Sequence, residues 1–174
     1  ALKKKIFPDF LTITEKPHIK KALGSAPFDA EGVATTEREL VNSGVLHSYI
    51  LDCYSARKLN MQTTANSGGI HNLIIESKEN CNTTDEIIKS IKKGLFVTEL
   101  IGHGVNIVTG DYSRGASGYW VENGEIQYPV EEITVAGNLE SMFKNILAVS
   151  SDADERSRII SGAVLIDNLM VAGQ

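Results

Sequence analysis

Residues 102–120 bring together side chains that could bind a ligand or catalyse a reaction. His103 could exchange a proton, Asp111 and Arg114 could hold charged groups, and the hydroxyl of Ser113 could form hydrogen bonds. Five glycines lie in the same segment, and such a density is typical of tight turns or close backbone approach. The segment therefore predicts a polar, glycine-rich loop that could form a recognition surface.

An Asn-Gly pair follows this segment. Asn123 and Gly124 lie between two stretches of alternating apolar and polar residues, which is the strongest short-range signal for a β-hairpin. We therefore expect a rigid hairpin to hold one end of the glycine-rich loop. The arrangement suits a recognition surface, and it also suits an ordinary β-rich core.

The four histidines, His18, His47, His71 and His103, are candidate zinc ligands. They are separated by 29, 24 and 32 residues, whereas the helix of a zinc peptidase carries two histidines one turn apart. Neither His-Glu-x-x-His nor His-Glu-x-x-x-His occurs in the sequence. The alternative is a metal site assembled from separate loops, with His71, His103 and a carboxylate such as Asp111.

Other catalytic patterns are equally weak. Ser113 does not stand in the Gly-x-Ser-x-Gly pattern of a nucleophile elbow. Cys53 and Cys81 belong to no catalytic signature, and we expect both thiols to be reduced and to pack as small apolar groups. Gly102 and Gly104 lack the third glycine of a dinucleotide-binding loop.

Two local groups of residues allow either a functional or a structural interpretation. His71 and Asn72 follow a loop of small and polar residues, 62–69. His71 could contact a substrate or a subunit there, or it could hold the loop by a hydrogen bond. Asp111 and Arg114 could form a local ion pair, or Arg114 could grip an extended peptide.

The composition excludes some classes of function. The 174 residues fit one domain or one large lobe. The net charge of −5 disfavours nucleic-acid binding, which needs a basic surface. No apolar run approaches the length of a membrane span and no signal peptide is recognisable, so we expect a cytoplasmic location without membrane contact. The first residue is not Met, and we interpret the chain as a piece of a longer one.

The hydrophobic pattern predicts more strands than helices. Strands and hairpins are expected over 9–14, 33–41, 45–51, 70–76, 95–101 and 133–136, with one or two more in 159–171. Helices are expected over 53–59, over Thr83–Lys93 with Gly94 as its end, and over 138–146. The fold class is therefore α+β, β-rich, with a mostly antiparallel mixed sheet, hairpins and two or three short helices.

Several long stretches resemble the TldE/PmbA proteins of the TldD/TldE family, historically labelled modulators of DNA gyrase. The resemblance runs in order along nearly the whole chain and is carried by Pro27–Val33, Tyr54–Leu59, Gly68–Asn72, Thr109–Ala116, Tyr119–Val130, Ala136–Leu139 and Val171–Gln174. Because the proteins of this family are much longer, the resemblance implies that residues 1–174 are the C-terminal domain of such a protein.

The resemblance also implies a function. The family forms a cytoplasmic TldD–TldE heterodimer that acts as a zinc metallopeptidase on small or unfolded peptides. Its TldD-type subunit carries His-Glu-x-x-x-His and a later cysteine, which the TldE type lacks. This chain offers Ser161 in the corresponding tail, and a hydroxyl is a poorer zinc ligand than a thiolate. We therefore expect a non-catalytic subunit without its own cofactor, with zinc bound by a TldD-type partner.

Exposed strand edges would hold an extended peptide by backbone pairing. The side chains expected to contact the peptide or the partner are His71, Asn72, His103, Asp111, Tyr112, Ser113 and Arg114. We also expect an apolar patch that the partner covers. The alternatives are a self-sufficient metal-dependent hydrolase that uses His71 and His103 with a carboxylate, and a gyrase-binding module.

Overall fold

The computed structural model describes residues 2–78 and 82–173, which form two compact units. The first unit combines the residues up to position 81 with Val149–Ala163, and the second combines Asn82–Ala148 with the residues from Val164 onward. Cys81, for which the sequence predicts a buried thiol, lies outside the described residues.

The described residues contain more strands than helices. In chain order the elements are β1 (Leu11–Glu15), β2 (Arg38–Asn42), β3 (Val45–Leu46), α1 (Cys53–Lys58), β4 (Leu73–Ser77), α2 (Thr84–Ser90), β5 (Lys93–Ile101), β6 (Asp111–Glu122), β7 (Glu125–Asn138), α3 (Leu139–Lys144), β8 (Ile146–Val149), β9 (Ile159–Ser161), β10 (Val164–Ile166) and β11 (Met170–Ala172). Pairing is antiparallel for β1–β2, β1–β4, β2–β3, β5–β6, β6–β7 and β7–β11, and it is parallel for β4–β9. The α+β class and its mostly antiparallel character are confirmed.

The first unit is built on a five-stranded sheet in the order β3-β2-β1-β4-β9. The hairpin formed by the strands predicted over 33–41 and 45–51 is confirmed, but both strands are shorter than expected, as β2 and β3. Four of the five residues of the inner strand β1 are buried, including Leu11 and Glu15. The Glu15 carboxylate therefore lies at the end of a mostly buried strand, where it needs hydrogen-bond or ionic partners.

The second unit is built on a four-stranded sheet in the order β11-β7-β6-β5. Ala116, Ile133 and Val135 form one of its buried clusters, and Leu95, Val97, Tyr112, Val130 and Leu169 pack against them. The β6–β7 hairpin predicted at Asn123-Gly124 is confirmed, with φ of 51° and 79° at the two turn residues. Both values are positive, as a two-residue hairpin turn of type I′ requires.

The glycine-rich segment is only partly a loop, which corrects the prediction for residues 102–120. From Asp111 onward the chain forms the twelve-residue strand β6. The lack of a side chain at Gly118 lets β6 lie close to β5, because a Cβ atom at Gly118 would lie 2.0 Å from the carbonyl oxygen of Phe96. The pattern of turn-forming residues thus concealed a strand, and the loop is confined to 102–110.

Helix α2 begins as predicted and ends earlier. Thr83 and Glu86 form the expected capping box. The helix ends at Ser90 rather than Lys93, because Lys93 and the predicted end residue Gly94 are paired with β6. Strand pairing in the folded unit has therefore replaced the last helical turn.

The other differences from the predicted element boundaries also arise where residues join strands. Helix α3 ends at Lys144 instead of Ile146, because the buried Ile146 begins strand β8. The tail gives three short strands, β9, β10 and β11, where one or two were expected. In residues 2–78 and 82–173, the structure contains no helix with the length and apolar character needed to cross a membrane.

Candidate functional site

The seven residues singled out by the sequence are divided between the two units. His71 and Asn72 belong to the first unit, and the other five belong to the second.

In the first unit, Glu15 is the centre of a buried polar network. Its side chain is 1% exposed, and its Oε1 atom accepts hydrogen bonds from Asn66 Nδ2 at 2.6 Å and from the backbone N–H of His71 at 2.8 Å. His71 Nδ1 lies 3.2 Å from the same oxygen. Arg38 Nη1 lies 3.9 Å from Oε2. The hydrogen bond that was one interpretation of His71 is therefore present.

Asn72 has a structural role in this unit. Its Oδ1 atom accepts a hydrogen bond from the backbone N–H of Gly24 at 2.8 Å. Its Nδ2 atom donates to the carbonyl oxygen of Lys16 and to the hydroxyl of Ser25, both at 2.8 Å. Both amide hydrogens are thus used, and the side chain is fully buried. Asn72 fastens the segment around Gly24 to the start of β4, and it presents no donor to a ligand.

Asp29 is a second buried carboxylate that the sequence analysis missed. It accepts hydrogen bonds from the backbone N–H groups of Glu31 and Val33 at 2.9 Å and of Ser67 at 3.0 Å. Burial by itself would raise the pKa of Asp29, but these three hydrogen bonds outweigh it, and the net effect lowers the pKa. Asp29 therefore ties the loop before His71 to residues 29–33 in its ionised form.

We expect Asp29→Asn to reduce the pH dependence of stability. A carboxyl group whose pKa is lowered in the folded state stabilises the fold above its unfolded pKa, and this contribution is lost as the pH falls through the folded value. The variant should melt at a lower temperature than the unmodified protein near neutral pH, and its melting temperature should vary less below about pH 4. Melting curves recorded from neutral to acid pH check this, with the exposed Asp9→Asn as control. Parallel pH curves for Asp29→Asn and the unmodified protein would contradict the role given to Asp29.

In the second unit, the side chains of Asp111 to Arg114 alternate between the two faces of strand β6. Successive side chains of a strand point to opposite faces. Tyr112 packs against the core cluster, whereas Asp111 and Ser113 are exposed. Asp111 Oδ2 accepts a hydrogen bond from the Thr109 hydroxyl at 2.6 Å. The ion pair between Asp111 and Arg114 that was one interpretation is therefore wrong.

Arg114 instead reaches the neighbouring strand. Its Nη2 atom donates to the carbonyl oxygen of Leu100, near the end of β5, at 3.0 Å. Its Nε atom is buried without a hydrogen-bond partner. A buried charged donor without a partner costs free energy. Arg114 is therefore the residue of this group whose hydrogen bonding is least satisfied.

The loop 102–110 is fixed to the start of β6. The backbone N–H of Ser113 donates to Gly104 O at 2.7 Å, and that of Asn106 donates to Asp111 O at 2.8 Å. His103 is exposed on this loop. The loop also presents two aliphatic side chains, Ile107 and Val108, each 89% exposed. An ordered loop with an apolar tip is typical of a surface that contacts another protein.

Cys53 differs from the prediction of a buried thiol. It is partly exposed at the start of α1. A hydrogen bond to the Glu31 carboxylate raises the pKa of this thiol, and burial adds to the effect. Since the thiolate is the nucleophile, a raised pKa disfavours a catalytic role for Cys53.

The family follows from the comparison with known proteins. The family model described as the PmbA/TldA metallopeptidase C-terminal domain matches residues 1–173. The chain belongs to this family. The resemblance stated from the sequence motifs is thereby confirmed.

Relatives of the PmbA/TldA family resemble the chain to different degrees. The metalloprotease PmbA of Escherichia coli O157:H7 is 51% identical over 174 residues, which are 100% of this chain and 38% of that protein. A metalloprotease TldD homolog of Buchnera aphidicola is 27% identical over 158 residues, which are 86% of this chain and 33% of that protein. The chain thus spans less than two fifths of the length of these relatives.

A solved structure shares the same fold. The crystal structure of a putative modulator of DNA gyrase from Bacteroides thetaiotaomicron matches with a TM-score of 0.90 and 34% identity. The match covers 99% of this chain and 39% of that protein. The fold of this chain is therefore found in a solved crystal structure.

Zinc, which a metallopeptidase family implies, does not fit the donors described here. In residues 2–78 and 82–173, no three His, Cys, Asp or Glu side chains lie close enough together to hold an ion. His18 Nε2 is hydrogen-bonded to the Thr35 hydroxyl at 2.9 Å. His71 Nδ1 faces Glu15, a carboxylate that is hydrogen-bonded to Asn66 and to the His71 backbone.

Proposed function

We propose that this chain is a non-catalytic lobe of a TldD/TldE-type zinc metallopeptidase. In this proposal a TldD-type subunit holds the zinc, and the heterodimer processes small unfolded peptides in the cytoplasm. The higher identity to a PmbA protein than to a TldD homolog, 51% against 27%, supports the assignment to the PmbA side of the pair. The partial coverage of these relatives supports the interpretation of residues 1–174 as the C-terminal domain of a longer polypeptide.

The chemistry of the histidines supports a non-catalytic role. His71 is the most buried of the candidate ligands, and its Nδ1 atom faces the Glu15 carboxylate. This carboxylate also accepts hydrogen bonds from Asn66 and from the backbone N–H of His71. This carboxylate is used inside the fold of the first unit. A zinc site needs several ligands converging on one point, and Glu15 has its oxygens directed to other partners.

The observation that carries the peptide-binding part of the proposal is Arg114 beside strand β5. In its sheet β5 is the outer strand, next to β6. An outer strand can pair with an extended peptide through backbone hydrogen bonds. Arg114 bonds to Leu100 on β5 and keeps Nε without a partner. A peptide added along β5 brings carbonyl oxygens to which the guanidinium can donate hydrogen bonds.

The exposed residues of the second unit are assigned to the partner. His103, Asp111 and Ser113 lie on the solvent-exposed side of the loop and of β6. The apolar side chains of Ile107 and Val108 accompany them. We assign this surface to contact with the TldD-type subunit, because burial of two aliphatic side chains would favour association.

We expect Arg114→Met to weaken peptide binding about tenfold or more, since a hydrogen bond to a charged group contributes about 1.5–3 kcal/mol. The measurement uses the complete polypeptide with its TldD-type partner and an unstructured, fluorescently labelled peptide, whose anisotropy gives Kd. Lys144→Met is the matched control, because Lys144 is an exposed cation paired with Glu140. Equal Kd values for the Arg114 variant and the unmodified protein would refute the assignment of β5 and Arg114.

A further inference from the structure

The first unit contains a cavity that the peptide-binding strand of the second unit does not use. Its volume is about 230 Å³, and its lining includes Leu23, Phe28, Gly68, Gly69, His71 and Arg158. Pockets for drug-sized ligands span roughly 300–1,000 Å³. The cavity is therefore suited to a small group, such as one end of a peptide.

His71 supplies this cavity with a fixed hydrogen-bond acceptor. Its side chain is 10% exposed. Glu15 Oε1 receives hydrogen bonds from Asn66 and from the His71 backbone as well as facing His71 Nδ1. In the neutral imidazole, the tautomer with the proton on Nδ1 donates to this carboxylate and leaves the other ring nitrogen, Nε2, as an acceptor. Nε2 makes no hydrogen bond to the residues that the structure describes.

Arg158 supplies the same cavity with a cation. Its backbone is fixed, since its carbonyl oxygen accepts a hydrogen bond from the N–H of Leu73 at 2.8 Å. Its guanidinium is exposed and belongs to none of the ion pairs formed within residues 2–78 and 82–173. Arg156 contrasts with it, because its guanidinium lies 2.8 Å from Asp154. Arg158 is thus the arginine of this segment that is available to an anion.

The wall between these groups is backbone without side chains. Gly68 and Gly69 have φ of 95° and 113°, and a Cβ atom at Gly69 would meet nothing within 4 Å. Asp29 also lines the cavity, and its carboxylate is occupied by the backbone N–H groups of Glu31, Val33 and Ser67, through which it tethers this loop to the rest of the unit. Residues that carry a Cβ atom rarely adopt such φ values. The loop therefore leaves room for a ligand at low steric cost.

We propose that this cavity binds the C-terminal residue of a peptide. Arg158 pairs with the terminal carboxylate, and His71 Nε2 accepts the N–H of the last residue. Leu23 and Phe28, which are 71% and 59% exposed, cover an apolar side chain of that residue. This inference rests on the proposed function in so far as the ligand is a peptide, and it adds a recognition site in the other unit.

The test compares two forms of one unstructured peptide that ends in leucine, one with a free carboxylate and one with a C-terminal amide. Binding to the native complex, measured by the anisotropy of an N-terminal label, is expected to weaken about tenfold or more on amidation, because a charge-assisted pair with Arg158 is lost. Arg158→Gln is expected to bind both forms with the same, weaker Kd. Arg156→Gln is the matched control and keeps the discrimination. Melting curves check that both variants fold.

A third peptide distinguishes a C-terminal carboxylate from the carboxylate of a side chain. It carries an internal aspartate and a C-terminal amide, and it is expected to bind as weakly as the other amidated peptide. Equal binding of the free and amidated forms to the unmodified complex overturns the inference while the proposed function stands. Discrimination that survives Arg158→Gln, or tight binding of the aspartate peptide, also overturns it. Failure of every peptide to bind contradicts the proposed function together with this inference.

Discussion

Glu15→Ala is expected to destabilise the protein by about 3–5 kcal/mol, the usual cost of removing one partner from a buried charge network. The substitution leaves Asn66 Nδ2 and the His71 backbone N–H without their shared acceptor, and it removes the carboxylate that lies 3.9 Å from the Arg38 guanidinium. Because Asn66 and His71 are buried, the lost hydrogen bonds are not replaced by hydration. Chemical denaturation followed by circular dichroism measures the change.

Glu37→Ala is the matched control for this experiment. Glu37 lies 3.9 Å from Lys16, and both side chains are largely exposed. An exposed pair of this kind contributes about 0–1 kcal/mol. A similar loss of stability in the two variants would show that Glu15 is not the centre of the network.

Gly124→Val is expected to destabilise the β6–β7 hairpin by about 3 kcal/mol, from backbone strain and overpacking together. Gly124 has φ of 79°, which a β-branched residue strongly avoids. A Cβ atom there would also lie 2.6 Å from the carbonyl oxygen of Lys89. The turn cannot simply move away, because its N–H groups donate to the carbonyl oxygens of Ile91 and Lys92 at 2.8 Å.

Gly32→Val separates the two causes. Gly32 has φ of 77°, and a Cβ atom at this position would meet nothing within 4 Å. This variant carries only the backbone strain, about 1–3 kcal/mol. We therefore expect Gly124→Val to be clearly the less stable of the two in thermal unfolding. Equal melting temperatures would mean that the contact with Lys89 is relieved without cost.

The features that were predictable from the sequence are local in the chain. The capping box of Thr83 and Glu86 involves residues three apart, and the hairpin turn at Asn123-Gly124 involves neighbours. Local patterns could not locate the end of α2, because Lys93 is held by pairing with Glu122 on another element. Nor could they reveal that β6 needs glycine for its close approach to Phe96.

The buried network was missed for the same reason. Glu15 lies 51 residues from Asn66 and 56 residues from His71, and no spacing rule connects positions so far apart. The sequence offers one weak signal, an acidic residue at the end of a strand that otherwise reads as core. For Arg114, the residue type was enough to suggest that it binds a peptide. Its hydrogen bond to Leu100 and its unpaired Nε could be known only from the fold.

The central claim, that this chain shapes the peptidase while another subunit carries the metal, is tested most directly by counting zinc in each subunit. Native mass spectrometry of the complex and of its separated subunits gives this count, and hydrolysis of an unstructured peptide is measured in the same preparations. We expect zinc and hydrolysis to follow the TldD-type subunit, with none in the polypeptide that carries this chain. Stoichiometric zinc and peptidase activity in that polypeptide alone would contradict the account.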